Sequence, residues 1–598
     1  MTGSESGAIE LNPEQAAVAE APADSRLLVI AGAGQGKTEV VASRVEHLAT
    51  EEGLSPSTEM LVLSFSRAAV HAVRSRIANR EMAETNVRTF DSFASYLLVE
   101  NDIEPVGDFE SRIRQATKLL SDGDDDIYGV EDIQHVILDE VQDLVGDRAE
   151  MVLAILENLH EDAGFTALGD PLQAVYDFTL ANSRSKTTST QFITALTDRF
   201  NAERVSLGPN YRARGAFPKR VVSLGNVLRE DHVVAGAQQR IKTFEDTLPH
   251  SGVVDDWGFL REPAGKTAIL CKSNAEVLRV SRVLTKHDVR HVVRRQATDF
   301  GAARWIAGVL APLAGPDVSR TDIEFAADQL TSSALESDEV WYLLKGAEAN
   351  KRSLHQLNLN RVREKIRAGT IPLTLTQPDS ADVIVSTIHR AKGLEFERIF
   401  FVHPNFTHED GDAWAEIRER YVALSRARDD VGVIDIPNEW SWFENRQGRQ
   451  RERKKSKQKK SYTASFEFQS RDVATESPMF GDISRSAAIQ DALVALDPGT
   501  DLSARFETMM NDDVPVFTLV TPKGFEVGQT SEVFGRTIDY EFGYRYKDGW
   551  EGVAVRGLKL VSVETAAGDP RFTEEAGLGS SGFWLVPRVG GLAVPYEA

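Results

Sequence analysis

The sequence predicts an α/β fold built on parallel sheet, and two segments support this. Residues 26–30 (RLLVI) are a short apolar run typical of a buried strand, and a glycine-rich turn follows them. Residues 38–48 then place Val40, Val41, Val45 and Leu48 on roughly one helical face. Further along, the apolar run 136–138 ends in two carboxylates. Because ligands gather at the carboxyl ends of parallel strands, both segments should face one crevice.

Length and composition indicate a large globular protein without membrane segments. The 598 residues allow about three or four domains, and 41% hydrophobic with 27% charged residues is ordinary for such a chain. No apolar run approaches the length of a membrane helix, and residues 1–23 lack a secretory signal pattern. The single cysteine, Cys271, excludes an internal disulfide and fits a cytoplasmic location.

The net charge of −23 argues against a polyanionic partner only superficially. A local basic groove can bind nucleic acid on an otherwise acidic molecule. Part of the acidic excess lies in residues 121–126, which we interpret as a solvated loop.

The glycine-rich turn has the pattern of a phosphate-binding loop. Between a strand and a helix, its main-chain N–H groups would point at phosphate oxygens, Lys37 would reach the β- and γ-phosphates, and Thr38 would hold Mg²⁺. The first position is alanine where glycine is usual. The sequence therefore predicts binding of a nucleoside triphosphate with Mg²⁺. The residues expected at the nucleotide are Ala31, Gly32, Ala33, Gly34, Gln35, Gly36, Lys37 and Thr38.

The carboxylates after residue 138 have the composition needed for phosphate hydrolysis. Asp139 would hold Mg²⁺ through water or Thr38, which makes Thr38 and Asp139 the expected metal ligands. Glu140 would orient and deprotonate the attacking water. The pair is weak evidence alone and strong evidence beside a phosphate-binding loop.

Residues 139–143 (DEVQD) resemble the D-E-x-Q-D signature of superfamily 1 DNA helicases of the UvrD/PcrA/Rep type. Other segments resemble further signatures of that family, in the family's order, between residues 11 and 430. These segments are LNPEQ (11–15), SFSR (64–67), TFD (89–91), GDPLQAVY (169–176), NYR (210–212), TIHRAKGLEF (387–396) and YVALSRA (421–427).

The resemblance implies roles at the nucleotide for six residues. It implies that Gln15 reads the adenine edge, Tyr211 stacks on adenine and Glu395 lies near the ribose. It also implies that Gln173 senses the γ-phosphate and couples it to DNA, that Arg212 meets the γ-phosphate, and that Arg426 is an arginine finger from a second lobe. The expected catalytic set is Lys37, Asp139, Glu140, Gln173, Arg212 and Arg426.

The resemblance also implies contacts with single-stranded DNA, because exposed aromatic rings stack on bases without sequence preference. The expected contacts are Phe65, Phe90, Tyr176, Phe178 and His389. The alternative is that the rings fill the core beside the sheet and that His389 only packs. Several positions depart from the family pattern, which puts details of the DNA and adenine contacts in doubt: Glu39, Arg67, Ala68 and Asp91.

For the domain organisation, the resemblance implies two RecA-like P-loop NTPase lobes with small helical insertions, followed by a small β-rich C-terminal domain. Lobe 1 would span 1–215 with an insertion at about 98–133, and lobe 2 would span 216–445 with a reduced helical insertion at about 295–375. Residues 446–470 would be a basic linker, either only solvated or also holding DNA. Residues 471–598 would form the β-rich domain, because short β-like runs alternate with glycines there.

The function implied is an ATP-dependent helicase or translocase on single-stranded DNA, moving 3′ to 5′, in DNA repair, recombination or antiviral defence. Single-stranded DNA and duplex junctions would be its partners, with a protein partner possible at the C-terminal domain. The alternative from another class is a nucleotide-gated switch that recruits a partner through that domain. An RNA-directed motor is the third reading.

Overall fold

The computed structural model describes residues 10–598 apart from 66, 79, 81–84, 123–126, 232, 295–300, 331–334, 349–354, 377–380, 403–412, 437–440, 456–460 and 512. The acidic stretch expected to be a solvated loop therefore lies largely outside the described residues. The chain packs as two compact units. The first unit runs to Leu248 and includes Lys392–Glu395 and residues 413–431, and the second contains the rest. The domain boundaries at 215 and 445 stay predictions.

The first unit begins with alternating helices and strands. Up to Leu248 these are α1 (Pro13–Ala19), β1 (Arg26–Ile30), α2 (Lys37–Thr50), β2 (Met60–Ser64), α3 (Arg67–Ala78), β3 (Val87–Thr89), α4 (Phe90–Glu100), α5 (Phe109–Asp122), β4 (His135–Asp139), α6 (Gly146–Glu157), β5 (Gly164–Gly169), α7 (Ser189–Asp198), β6 (Glu203–Ser206), α8 (Ala216–Glu230) and α9 (Val234–Glu245).

A six-stranded parallel sheet forms the centre of this unit, in the order β3-β2-β4-β5-β1-β6. Leu28 and Ile30 of β1 pack in one core cluster, while Leu27 and Val29 pack in another. Successive side chains of a strand point to opposite faces, so both faces of the sheet are covered. The parallel α/β lobe predicted from β1 and α2 is confirmed.

The insertion expected at about 98–133 contains one helix, α5. Its residues Ile113, Ala116 and Leu120 are buried, and it packs between α4 and α6. Helix α5 is therefore part of the hydrophobic core of the first unit.

The remaining elements follow Leu248. These are β7 (His250–Val253), β8 (Thr267–Cys271), α10 (Asn274–Lys286), β9 (Val292–Val293), β10 (Ala302–Ala303), α11 (Arg304–Leu310), β11 (Asp317–Ser319), α12 (Arg320–Asp328), α13 (Ser337–Glu348), β12 (Gln356–Asn358), α14 (Leu359–Arg367), β13 (Val383–Thr387), α15 (Ile388–Ala391), β14 (Phe396–Val402), α16 (Ala413–Leu424), β15 (Ala427–Asp435), β16 (Ser441–Arg446), β17 (Arg449–Lys455), β18 (Ser461–Phe468), α17 (Ile483–Val494), β19 (Asp501–Met510), β20 (Val514–Val520), β21 (Glu526–Gln529), α18 (Glu532–Phe542), β22 (Val553–Ala567), α19 (Pro570–Glu575) and β23 (Phe583–Glu597).

The second unit contains a second parallel sheet and a separate antiparallel one. The parallel sheet has the order β7-β15-β14-β8-β13-β9, with Cys271 buried at the end of β8. The antiparallel sheet has nine strands, in the order β16-β17-β18-β23-β22-β19-β20-β21 with β10 paired to β22. This confirms the predicted second α/β lobe and the β-rich domain.

The described residues of the region 295–375 form helices α11 to α14 and the short strands β10, β11 and β12. Ile306, Val309 and Leu310 of α11 are buried together with Trp341 of α13. Helices α11 and α14 pack against β22, so this helical region shares a core with the antiparallel sheet. Residues 295–300 lie outside the described residues.

The expected basic linker differs from what is observed, because its described residues form β17 and β18. Arg449 lies against Asp472, and Arg451 lies against Glu541. The carboxylates that neutralise this tract come from elsewhere in the chain, so composition alone indicates a solvated segment. Residues 456–460 lie outside the described residues.

Within the described ranges, no helix has the length and apolarity required to cross a membrane.

Candidate functional site

The loop between β1 and α2 has the backbone of a phosphate cradle. Gly34 and Gly36 have φ angles of 77° and 83°, which glycine adopts without steric cost. A Cβ atom on Gly34 would collide with Arg212, and one on Gly36 would collide with Gln15. Gly36 is also the N-cap of α2, whose first N–H groups have no helical partner. This geometry suits an anion at the helix N-terminus.

Two glutamine side chains hold the loop from inside. Gln35 accepts a hydrogen bond from the Gly32 N–H group and donates to the carbonyl of Leu207 over 3.0 Å. Gln15 donates to the Gln35 carbonyl over 3.0 Å and accepts from the Asn12 N–H group, completing the capping box of α1. Gln15 is therefore a buried support of the loop, and its adenine contact stays a prediction.

The two carboxylates lie at the carboxyl end of β4, beside the loop. Ser64 donates to Asp139 over 3.2 Å, and the Lys37 ammonium lies 3.3 Å from a Glu140 oxygen. Burial raises the pKa of Asp139 to about 7, and the neighbouring Glu140 charge adds to this. Burial acts in the same direction on Glu140, but Lys37 and then Lys392 outweigh it and lower the Glu140 pKa. Environments that push two carboxyl pKa values apart are typical of sites where the groups have different tasks.

A chain of hydrogen bonds leads from Glu140 to residue 173. Gln142 donates to Glu140 and accepts from the Asp170 N–H group over 2.9 Å. Asp170 is fully buried and accepts from the Gln173 amide over 2.9 Å. Arg229 of α8 forms a bidentate pair with Asp170, at 3.0 and 2.8 Å. Gln173 is thus fixed by a buried ion pair.

Arg426 lies at the other end of this chain. Arg426 is 2% exposed. Its guanidinium donates to the side-chain amide oxygen of Gln173 over 2.8 Å and to the main-chain carbonyl of Val422 over 3.0 Å. Burial lowers the Arg426 pKa to about 10, with the nearby Arg212 charge contributing, so the guanidinium is charged at neutral pH. The structure therefore brings Arg426 and Gln173 together within the first unit, and the finger role of Arg426 stays a prediction.

Arg212 is the cation in this site with unsatisfied donors. Its Nη2 atom lies 2.5 Å from a Glu395 oxygen, whereas its buried Nε and Nη1 atoms have no hydrogen-bond partner among the residues that the structure describes. Glu395 also accepts from Arg428 over 2.9 Å. Tyr211 is 60% exposed, and its hydroxyl accepts from Asn12 over 2.7 Å. Glu395 is thus paired with two arginines here, and its ribose contact stays a prediction.

Three of the rings expected at DNA lie together in the first unit. The Phe65 and Tyr176 rings stack at 5.4 Å with an angle of 18°, and Tyr176 and Phe178 lie 6.4 Å apart. Phe178 is 63% exposed. Phe90, in contrast, is 1% exposed within the core, which favours the packing interpretation for that ring. His389 lies on α15 of the second unit and is half-buried.

Sequence reasoning gave no role to two cations of the site. Lys392 pairs with Asp143, donates to the Gln173 carbonyl over 2.6 Å and lies 5.0 Å from the centre of the Tyr176 ring. Its position inside the quoted segment TIHRAKGLEF was a usable signal. Arg229 had no such signal, because it belongs to no quoted segment.

Two family models match segments of this chain. The family model of the UvrD/REP helicase N-terminal domain matches residues 11–114, and that of the UvrD-like helicase C-terminal domain matches residues 382–434. Comparison with curated proteins gives no match.

Two solved structures are similar at low identity. A Pif1 helicase from Candida albicans is 14% identical with a TM-score of 0.34, over 71% of this chain and 95% of that one. A Pif1 helicase from Bacteroides, in complex with ADP-AlF3 and ssDNA, is 14% identical with a TM-score of 0.32, over 72% of this chain and 95% of that one. The two family matches show that the chain is similar to helicases of the UvrD-like family over residues 11–114 and 382–434.

Proposed function

We propose that this protein is a helicase, a DNA-dependent ATPase that translocates on single-stranded DNA in the 3′ to 5′ direction and unwinds duplex at junctions. The observation that carries the proposal is the contact between Arg426 and Gln173. It joins an arginine to a glutamine that is linked through Asp170 and Gln142 to Glu140. Hydrolytic and charge-neutralising groups are thus connected in one site.

Each residue of the site suits a step of phosphoryl transfer. The loop N–H groups and Lys37 would bind the β- and γ-phosphates, and Glu140, held ionised by Lys37, would orient the attacking water and accept its proton. Arg212 and Arg426 would stabilise the charge that spreads over the transferred group. An arginine in this role typically contributes about 10³ to 10⁵ in rate.

The unpaired N–H groups of Arg212 support the binding of a nucleotide phosphate at this site. Buried N–H groups without a partner cost free energy, and a phosphate oxygen would satisfy them. The Lys37 ammonium contacts a Glu140 oxygen and the Ala31 carbonyl, each at 3.3 Å. Both contacts can exchange for phosphate.

The residues present also fit Mg²⁺, which would neutralise phosphate charge when bound. The Thr38 hydroxyl and the Asp139 carboxylate are hard oxygen ligands, and Mg²⁺ prefers few protein ligands beside phosphates and water. The described part of the chain holds no group of three His, Cys, Asp or Glu side chains suited to a metal, which agrees with such sparse ligation.

Coupling to DNA is supported by the position of Lys392. This side chain contacts the Gln173 main chain and lies over the Tyr176 ring, which stacks on Phe65. A change at Gln173 can therefore reach the rings expected to hold bases. Stacking of this kind contributes about 1–3 kcal/mol per base and tolerates any sequence.

The deciding experiment measures ATP turnover of the full chain with and without a single-stranded oligonucleotide. We expect strong stimulation by DNA, weaker stimulation by matched RNA, and loss of turnover in Glu140→Gln. Turnover that does not respond to DNA would refute the translocase and favour the nucleotide-gated switch. Displacement of streptavidin from each end of a biotinylated oligonucleotide then measures direction, and faster release from the 3′ end would contradict the proposed polarity.

A further inference from the structure

The nine-stranded sheet of the second unit carries a basic segment that the ATP site does not explain. Residues 446–460 contain nine Lys or Arg residues and one glutamate, in a chain whose net charge is −23. The described part of this segment forms the end of β16 and all of β17. Charge of this density on a β-strand of an acidic protein requires a physical reason.

Two of these cations have a structural role. Arg449 forms a buried bidentate pair with Asp472, at 2.6 and 2.7 Å, and Arg451 lies 2.7 Å from Glu541. Breaking a buried pair of this kind is strongly destabilising, so these two arginines fix β17 to its neighbours. They leave no charge for a ligand.

Other cations of the region reach solvent. Arg446 and Lys455 are exposed, and Lys454 is half-buried. The nearest carboxylate to Lys454 is Glu452, at 3.8 Å, which also pairs with Arg282 at 2.9 Å. Positive charge therefore exceeds negative charge where β16 and β17 meet solvent.

Exposed aromatic rings lie against these cations. Tyr540 of α18 is 62% exposed, with the Arg446 guanidinium 5.1 Å from its ring centre. Tyr544 is 55% exposed, and Arg545 lies 5.4 Å from its ring and 5.1 Å from that of Tyr462. The Arg451 guanidinium also lies 5.6 Å from the Tyr540 ring centre. Cation–π contacts of this kind attract the guanidinium to the ring, and more than half of Tyr540 and of Tyr544 still reaches solvent. Lys455 lies opposite Ser461, the neighbour of Tyr462, across β17 and β18. We define the Tyr–Arg surface as these six residues: Arg446, Lys455, Tyr462, Tyr540, Tyr544 and Arg545.

We propose that the Tyr–Arg surface binds single-stranded DNA, as a second contact separate from the ATP site. Bases would stack on Tyr540 and Tyr544, while Arg446, Lys455 and Arg545 would neutralise phosphates. Single strands fit because they offer unpaired bases together with regular negative charge, whereas an acidic peptide offers only the charge. This inference goes beyond the proposed motor function and needs no nucleotide.

A direct test uses photo-crosslinking of the full-length protein to a thymidine oligonucleotide containing 4-thiothymidine, without ATP. We expect crosslinked peptides that contain Tyr540 or Tyr544, in addition to peptides of the first unit. Crosslinks confined to the first unit would overturn the proposal. If the ATPase is not stimulated by DNA but crosslinks at Tyr540 are retained, the proposed motor function is wrong and the proposed DNA contact at the Tyr–Arg surface stands.

Binding of a labelled thirty-residue oligothymidine, measured by fluorescence anisotropy, gives the second test. The double variant Tyr540→Ala/Tyr544→Ala should weaken binding by about 10-fold or more, because each stacked base contributes at least about 5-fold. Phe525→Ala is the matched control, since that ring is 59% exposed in the same sheet, in the turn between β20 and β21. Circular dichroism establishes that each variant is folded.

The salt dependence separates phosphate contacts from stacking. Arg446→Gln/Lys455→Gln should lower the slope of log affinity against log salt by about 1.4, at about 0.7 per phosphate contact on single strands. Unchanged affinity in the tyrosine variant together with an unchanged slope here would overturn the proposal. The surface would then suit an acidic protein partner.

Discussion

Replacing Arg229 with alanine tests whether the buried ion pair holds the site together. Arg229 is 11% exposed at its side chain, and its partner Asp170 is fully buried. The variant would leave the Asp170 carboxylate without its bidentate cation, while Gln173 would still donate to it. Arg229 also donates to the Tyr421 hydroxyl over 3.0 Å, so that contact is lost as well.

The expected magnitude follows from the burial of Asp170. Removing one partner of a buried pair costs about 3–5 kcal/mol, because the remaining charge is uncompensated. For a unit of this size, about 2–4 °C of melting temperature is lost per kcal/mol, so the first unit should melt about 10 °C lower. Circular dichroism or calorimetry at pH 8 measures this shift.

The loss of stability caused by Arg229→Ala should grow as the pH increases. In the wild-type chain, burial raises the Asp170 pKa but Arg229 outweighs it, so the pKa lies below its ordinary value. The ionised Asp170 carboxylate therefore stabilises the folded state above about pH 4. This contribution to stability is lost as the pH falls through the lowered pKa. Without Arg229, burial dominates and the pKa rises above the unfolded value. The variant should therefore lose stability as pH increases from 4, and the gap to wild type should be smaller at pH 5 than at pH 8.

The matched control removes the orphaned charge. Asp170→Asn in the Arg229→Ala background keeps the size of the side chain and eliminates the buried carboxylate, so it should recover part of the melting temperature. A melting temperature of Arg229→Ala within about 2 °C of wild type at pH 8, or no recovery in the double variant, would refute the reasoning.

Three further substitutions test the site. Arg426→Ala should lower ATP turnover by about 10³ to 10⁵ while changing binding of a fluorescent ATP analogue far less, and equal losses would argue against a finger. Glu140→Gln should lower turnover by at least about 10²-fold, as expected for a group that accepts a proton, and near-normal hydrolysis would exclude that role. Gly34→Ala should weaken nucleotide binding because the new Cβ meets Arg212, whereas Gly53→Ala, at a φ of 75° with no neighbour within 4 Å, should bind nucleotide normally. Similar nucleotide affinity in the two glycine variants would contradict the steric argument.

Local patterns predicted the fold because the relevant signals are close in sequence. An apolar run followed by Gly34, Gly36 and a helical periodicity is enough to place β1, the loop and α2. Asp139 is the last residue of its strand, so its position at the carboxyl end of the sheet could be inferred. The family order of motifs then brought Gln173 and Arg426 into one expected site.

Contacts between distant residues could not be predicted in the same way. Phe90 stands in a segment that resembles a DNA-contacting motif, yet it begins α4 and faces the core, and only packing decides between these. Arg229 pairs with a residue of another motif, and no spacing rule links them. The composition of β17 predicts a linker. Only the structure shows that Asp472 and Glu541, which lie far away in sequence, neutralise Arg449 and Arg451 and so allow these arginines to be buried.

A continuous series of hydrogen bonds connects the Glu140 carboxylate to the Arg426 guanidinium. Glu140 accepts from Gln142, which accepts from the Asp170 main chain, while Asp170 and Arg426 bind opposite ends of the Gln173 amide. A phosphate that draws Lys37 away from Glu140 removes one partner of that carboxylate. The later links, Gln142, Asp170, Gln173 and Arg426, are all buried, so we expect a change at Glu140 to affect Gln173. A double-mutant cycle of Gln142→Ala and Arg426→Ala on ATP turnover measures this coupling, and simple additivity would show that the two ends act independently.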